Sequence, residues 1–229
     1  MKKTAIVMLA AAAACAAWAA PRRMSILGDS YSTFLGCVQP EGNEVWYFPG
    51  DAPEKTDVTA PELTWWSIFA RDNGYEIECN NSWSGATISN RGYNGEDYSH
   101  RSFTNRMSDL GNPDLIVVFG ATNDFWAGVP LMPETAVAPQ PHAFYTFVPA
   151  MDYLLQQLPV LYPEAEVVFV LNDEITGPMR EAIIAQCGAR GVRCLQLEGI
   201  EKRMGHPDAA GMRAIASQLG EFLRESNSR

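Results

Sequence analysis

Four residues set far apart in the chain, Ser30, Gly85, Asn123 and His206, have the types and the order that acyl transfer needs. That chemistry requires a nucleophile, a base to take its proton, and N–H donors aimed at the oxygen that turns negative as a carbonyl carbon becomes tetrahedral. Ser30 ends the run Ile26-Leu27-Gly28-Asp29-Ser30. An apolar strand that stops at a hydroxyl puts that hydroxyl at a strand's carboxyl end, where open α/β sheets meet their ligands. His206, in Gly205-His206-Pro207, is the candidate base, and only His100 and His142 compete with it. The donors are the backbone N–H groups of Ser30 and of Gly85, in Ser84-Gly85-Ala86-Thr87, and the side-chain amide of Asn123. Glycine suits its position because a side chain would obstruct close approach of the backbone to a substrate. Asn123 suits its own as a neutral, directional donor. Asp29, Trp83 and Trp126 are candidates for a pocket wall. Asp29 also reads as a turn-former, and Asp124 as an acceptor for N–H groups of the turn after it. Taken singly, Ser30 is an ordinary helix cap, Asn123 a loop cap and His206 an exposed loop residue. Their order along the chain is what favours a site.

Positioning these groups takes a sheet. Short apolar, β-branched runs alternate with helical patterns, which favours a parallel sheet covered by helices on both faces. Strands are predicted at residues 24–27, 75–79, 114–119, 165–171 and 192–197, and helices at 62–72, 144–161, 178–187 and 207–224. Asn73-Gly74 is a left-handed stop for the first helix, and Pro149 and Pro159 should bend or end the second. Trp65 and Trp66 lie in the first helix, and at least one belongs to the core. Residues 36–61, 80–100 and 125–141 are predicted as long loops leaving the carboxyl ends of strands. Their aromatics, among them Trp46, Tyr47, Phe48, Trp83, Tyr93 and Tyr98, argue for walls of one pocket rather than disorder.

Length and composition bound the rest. A chain of 229 residues, 47% hydrophobic and 19% charged, suits one well-packed domain. Residues 1–19 read as an export signal: Lys2-Lys3, an alanine-rich apolar run, then Ala17-Trp18-Ala19 as a cleavage site, so the expected domain is 20–229. The protein is therefore expected in the periplasm or outside the cell. A lipid-modified Cys15 is the alternative, disfavoured by Ala12 where a lipoprotein signal carries a larger aliphatic residue. Past the signal no stretch approaches the roughly 20 apolar residues of a membrane helix. The formal charge of −10 makes a poor nucleic-acid binder. Cys37, Cys79, Cys187 and Cys194 are too few for a disulfide framework, although Cys187 and Cys194 are candidates to pair. No Cys-x-x-Cys or His-x-x-x-His spacing supports a metal site.

On Gly28-Asp29-Ser30, Gly85, Asn123-Asp124 and His206-Pro207, the chain resembles the SGNH or GDSL-type hydrolases, from Met24 to about Leu219. The resemblance implies a flavodoxin-like, three-layer α/β/α sandwich with a five-stranded parallel sheet, no metal or organic cofactor, and hydrolysis of esters or thioesters. The sequence departs from the family twice. Ala121 stands where the family has a glycine two residues before the asparagine. Arg203 stands where it has an aspartate three residues before the histidine. A Ser30–His206 dyad is therefore expected, its imidazole oriented by a backbone carbonyl, by water, or by a distant carboxylate such as Asp173. The expected activity is removal of a small acyl group, acetyl being one candidate, from an alcohol or carbohydrate. A lysophospholipase or thioesterase of the same fold is an alternative. So is a degenerate module that binds a glycan or peptide, motivated by Arg203, and so, last, is a nucleotide or flavin protein cradling phosphate on residues 28–33.

Overall fold

The computed structural model describes residues 21–50, 54–132 and 144–226. The expected export segment, Cys15, His142 and the part of the third loop from residue 133 onward fall outside them.

Five parallel strands form one sheet: β1 (Arg22–Gly28), β2 (Tyr75–Ser82), β3 (Leu115–Phe119), β4 (Glu166–Leu171) and β5 (Arg193–Gln196), in the order β2-β1-β3-β4-β5. The order reverses beside β1, so the crevice at the carboxyl ends of β1 and β3 is the expected ligand position in such a sheet. Period-two side-chain alternation splits the strand residues between two cores. Leu115, Val117, Phe119, Val168 and Val170 pack under α1 (Trp65–Asn73) and the C-terminal helix (Ala209–Ser226), with Trp65, Phe69, Ile215 and Leu219. Ile116, Val118, Phe169 and Leu171 face the other way, against Phe103, Phe147, Met151, Leu154 and Ile183. The latter belong to α2 (Phe103–Arg106), α4 (Phe147–Leu161) and α5 (Gly177–Arg190).

Departures from the predicted elements have local causes. The helix expected over 62–72 is broken at Thr64, an extended residue whose hydroxyl donates to the Pro61 carbonyl at 2.6 Å, so a 3-10 turn at Pro61–Leu63 precedes α1. Gly74 (φ 71°) ends α1 in the left-handed conformation, as expected. Pro149 does not break α4, because it sits in the first turn, where backbone N–H groups have no intrahelical acceptor. Residues 125–126, expected in a loop, belong instead to α3 (Thr122–Trp126), which starts directly after β3. A two-stranded antiparallel ribbon, β6 (Lys202–Arg203) and β7 (His206–Pro207), was not predicted; it leaves α6 (Ala209–Ser226) to begin two residues later than expected. Cys187 in α5 and Cys194 in β5 are free thiols.

Candidate active site

The register of the sheet brings the motif segments together. Gly28 pairs with Ser82 on one side and Phe119 on the other, so residues 29–30, 83–85 and 120–123 all leave a single rim. Cross-links hold them there: Trp83 N–H donates to Gly28 O at 3.1 Å and Asp29 N–H to Phe119 O at 3.3 Å. Gly28 is required by crowding, since a Cβ would lie 2.4 Å from Ser82 Oγ and 2.7 Å from Ser32 Cβ. Ser30 opens a 3-10 turn (Ser30–Ser32) capped by Asp29, whose carboxylate accepts the Tyr31 N–H at 3.0 Å. The turn-former reading of Asp29 matches this contact. Its place in a pocket wall does not hold, because the residue is wholly buried. Burial pushes its carboxyl up to about 7, against the Tyr31 N–H and the Arg106 guanidinium, which lower it; Oδ2 has no partner among the described residues.

Arg106 braces the rim from below. Its guanidinium donates to Arg101 O at 2.7 Å, Gly28 O at 3.2 Å, Asn81 Oδ1 at 2.8 Å and, closer still, Asn81 O. Bonds to charged groups contribute about 1.5–3 kcal/mol each, and stranded carbonyls cost more. Arg106→Met is expected to destabilise the fold by about 3 kcal/mol or more, read as a lower urea midpoint, and Arg106→Lys to recover only part, since an ammonium cannot span these acceptors.

His206 reaches the rim from the ribbon. His206 Nε2 lies 2.8 Å from Ser30 Oγ, with the two residues only 7% and 3% exposed. Its Nδ1 lies 3.1 Å from the carbonyl oxygen of Met204. A carbonyl can only accept, so Nδ1 carries the proton and the Nε2 lone pair faces the serine hydroxyl. The Met204-Gly205 turn makes this contact possible: both residues have positive φ, 46° and 74°, as two-residue hairpin turns of the primed type require. Neighbouring carbonyls are pinned as well, Gly205 O by the Tyr31 hydroxyl at 2.6 Å and Pro207 O by the Tyr47 hydroxyl at 2.7 Å. Burial lowers the imidazole to about 4; the Met204 carbonyl opposes that shift and the Lys55 ammonium adds to it. Among the described residues, the Met204 carbonyl is the group in contact with Nδ1. Asp173 is engaged elsewhere, by the Lys202 ammonium and the Ile200 N–H, and Arg203 pairs with Asp57 at 3.1 Å.

The three candidate donors follow the strands that end at this rim. Neither the Ser30 nor the Gly85 N–H meets an acceptor among the described residues. Gly85 has φ 79°, a conformation that disfavours a Cβ, while Arg101 Nη1 is the lone atom within 4 Å of where one would stand. Asn123 Nδ2 donates to Ala86 O at 3.0 Å, and Asn123 Oδ1 accepts the Tyr93 hydroxyl at 2.9 Å. With its amide oxygen turned to Tyr93 and one N–H spent on Ala86, the second N–H is left for a ligand. Ala121, in place of the family glycine, takes the left-handed conformation itself (φ 72°) and so keeps the turn into α3. Asp124 is structural, but not through the turn that follows it: it accepts from Ile88 N–H at 2.7 Å, Ser89 N–H at 3.1 Å and Ser89 Oγ at 2.8 Å, tying α3 to the Gly85 segment.

Trp126 is 38% exposed and stands edge-on to both Tyr31 and His206, with centroids at 6.4 and 6.0 Å. Trp83 is half-buried, edge-on to His100 at 5.6 Å, with the Arg101 guanidinium 5.4 Å from its ring centroid. Sequence reasoning gave Tyr31 and Arg106 no role in the site, and it named Trp46 and Tyr93 only as aromatics of the loops expected to wall the pocket.

The GDSL-like lipase/acylhydrolase family description matches residues 22–223. A solved structure from Bacteroides ovatus, classed as a GDSL-like lipase, is 45% identical over 90% of this chain and 99% of its own, with a TM-score of 0.83. Another so classed, from Bacteroides uniformis, is 41% identical over 90% of this chain and 96% of its own, with a TM-score of 0.84. At 19% identity, a family two carbohydrate esterase from Clostridium thermocellum, solved with cellohexaose, shares the fold over 90% of this chain and 65% of its own (TM-score 0.59). No curated protein matches the chain. Sequence and architecture thus lead to one assignment, and the chain belongs to the GDSL-like lipase/acylhydrolase family.

Proposed function

We propose that the protein is an exported serine esterase that removes a small acyl group from an alcohol or carbohydrate. The observation that carries this reading is the 2.8 Å contact of Ser30 Oγ with a His206 imidazole whose other nitrogen is committed to a carbonyl. In the proposed reaction Nε2 takes the hydroxyl proton as Oγ bonds to the ester carbon, and the carbonyl π pair moves onto oxygen. The N–H groups of Ser30, Gly85 and Asn123 receive that charge. The imidazolium then protonates the departing alkoxide, and water, deprotonated by the same ring, releases the acid from the acyl-serine.

Export rests on the Lys2-Lys3, alanine-run and Ala17-Trp18-Ala19 pattern; among the described residues no helix is long and apolar enough to cross a membrane. Sugar esters are the first class to test, since Trp126, 38% exposed and beside His206, is an aromatic suited to sugar contacts and a carbohydrate esterase shares the fold. The test is a panel of acetylated sugars, short acyl esters, acyl thioesters and lysolipids, each assayed before and after fluorophosphonate treatment. Acetylated sugars turned over fastest, with all hydrolysis abolished by the label on Ser30, is the expected result. Preference for lysolipids or thioesters would replace the substrate class, and an unreactive Ser30 would refute the mechanism.

A further inference from the structure

Resting on that dyad, we propose that Trp46 is a positioning residue that takes over part of the work of the missing carboxylate: it fixes the plane of the His206 ring and stabilises the ring once protonated. The indole lies parallel to the imidazole, 6° between planes and 3.6 Å between centroids. The Met204 carbonyl and Ser30 Oγ fix where the two ring nitrogens point but leave the plane of the ring to rock about the line between them. A flat surface against one face removes this freedom, while Tyr31 closes an edge at 5.3 Å.

Trp46 is itself anchored to both partners of the dyad. Its N–H donates to Thr33 Oγ1 at 2.8 Å, and that hydroxyl donates to Ser30 O at 3.0 Å. The next residue, Tyr47, donates to Pro207 O beside the histidine. Ser30, Thr33, Trp46, Tyr47, Pro207 and His206 therefore close a ring of contacts that sets serine and imidazole against each other. Lys55 adds a clamp, its ammonium donating to Trp46 O at 2.8 Å and lying 4.1 Å from the indole centroid. When the Ser30 O–H bond breaks and Nε2–H forms, positive charge appears on a ring already stacked on the negative π-face of an indole, an attraction the neutral ring lacks. Interactions that strengthen only in the transition state raise kcat rather than lower KM.

The experiment measures kcat and KM for p-nitrophenyl acetate in the wild type, Trp46→Phe, Trp46→Leu, the same position carrying pentafluorophenylalanine, and His206→Ala. Trp46→Phe is expected within about 3-fold of wild-type kcat, Trp46→Leu about 10-fold or more below it, and KM within about 2-fold in both. Pentafluorophenylalanine has the shape of phenylalanine with the charge of its π-face reversed, so it is expected about 5-fold slower than Trp46→Phe; this comparison stands even where Trp46→Leu fails to fold. Equal rates for the two aromatic side chains, or equal losses in Trp46→Phe and Trp46→Leu, would overturn the role of the π-face while leaving the dyad intact. Activity retained in His206→Ala would instead remove the dyad, and this inference with it.

Discussion

Ser30→Ala and His206→Ala are each expected to lower kcat for a short activated ester by about 10³–10⁵-fold, and the double variant to lose little more than either alone. In the proposed mechanism the two side chains act as one unit across a 2.8 Å contact, so removing one leaves the other nothing to do. Losses that multiplied in the double variant would mean that serine and imidazole work separately. The pH profile of kcat/KM carries a second expectation with a definite sign. Burial disfavours the imidazolium and lowers the ring to about 4, with Lys55 pushing the same way. In the proposed mechanism the free base is the active form, so activity is expected above that value and lost as pH falls through it. The acid limb is therefore expected near pH 4, well below the unperturbed histidine value of about 6.5. A limb near 6.5 would show that the free enzyme solvates this ring far better than its 7% exposure implies.

The sheet and the four motif positions were legible because they rest on short-range patterns. Apolar β-branched runs announced all five strands, and the Gly28-Asp29-Ser30 junction marked the rim where β1 ends. Convergence followed from parallel register: once Gly28, Ser82 and Phe119 stand side by side, the residues just beyond them must meet. What stayed hidden depends on contacts without a local signature. Nothing in Arg203-Met204-Gly205-His206 advertises a ribbon whose turn hands a carbonyl to Nδ1, because Met204 at φ 46° defies its own backbone preference. Trp46 lies 160 residues from His206, in a loop with no periodicity, and its parallel stacking depends on ties that leave no local pattern: its own to Thr33 and Lys55, and that of Tyr47 to Pro207. Asp29 misled for the opposite reason: beside a nucleophile it suggests a pocket wall, yet capping the Tyr31 N–H turns its carboxyl inward.

Asn123→Ala is expected to cost about 10²–10³-fold in kcat, the usual penalty for losing one donor to a developing oxyanion, with KM changed by less than about 3-fold. In the proposed mechanism the amide is preset for that role in the free protein. Tyr93 holds its oxygen and Ala86 O holds one hydrogen, so the second N–H is aimed before a substrate arrives and no reorganisation is needed as charge develops. The split between kcat and KM follows, since a neutral ester carbonyl gains little from that donor and a tetrahedral oxyanion gains much. Asn123→Asp sharpens the test. It keeps the shape of the side chain but replaces the donor with a carboxylate facing the oxyanion, so its loss should equal or exceed that of alanine above the pH at which the new carboxyl ionises. Tyr93→Phe removes only the grip on Oδ1 and is expected to cost about 3–10-fold in kcat, as one neutral hydrogen bond contributes about 0.5–1.5 kcal/mol. Should alanine at 123 cost less than about 3-fold, the backbone N–H groups of Ser30 and Gly85 would be carrying the oxyanion alone, and the Tyr93 and Ala86 contacts would serve only to hold the Gly85 segment against α3.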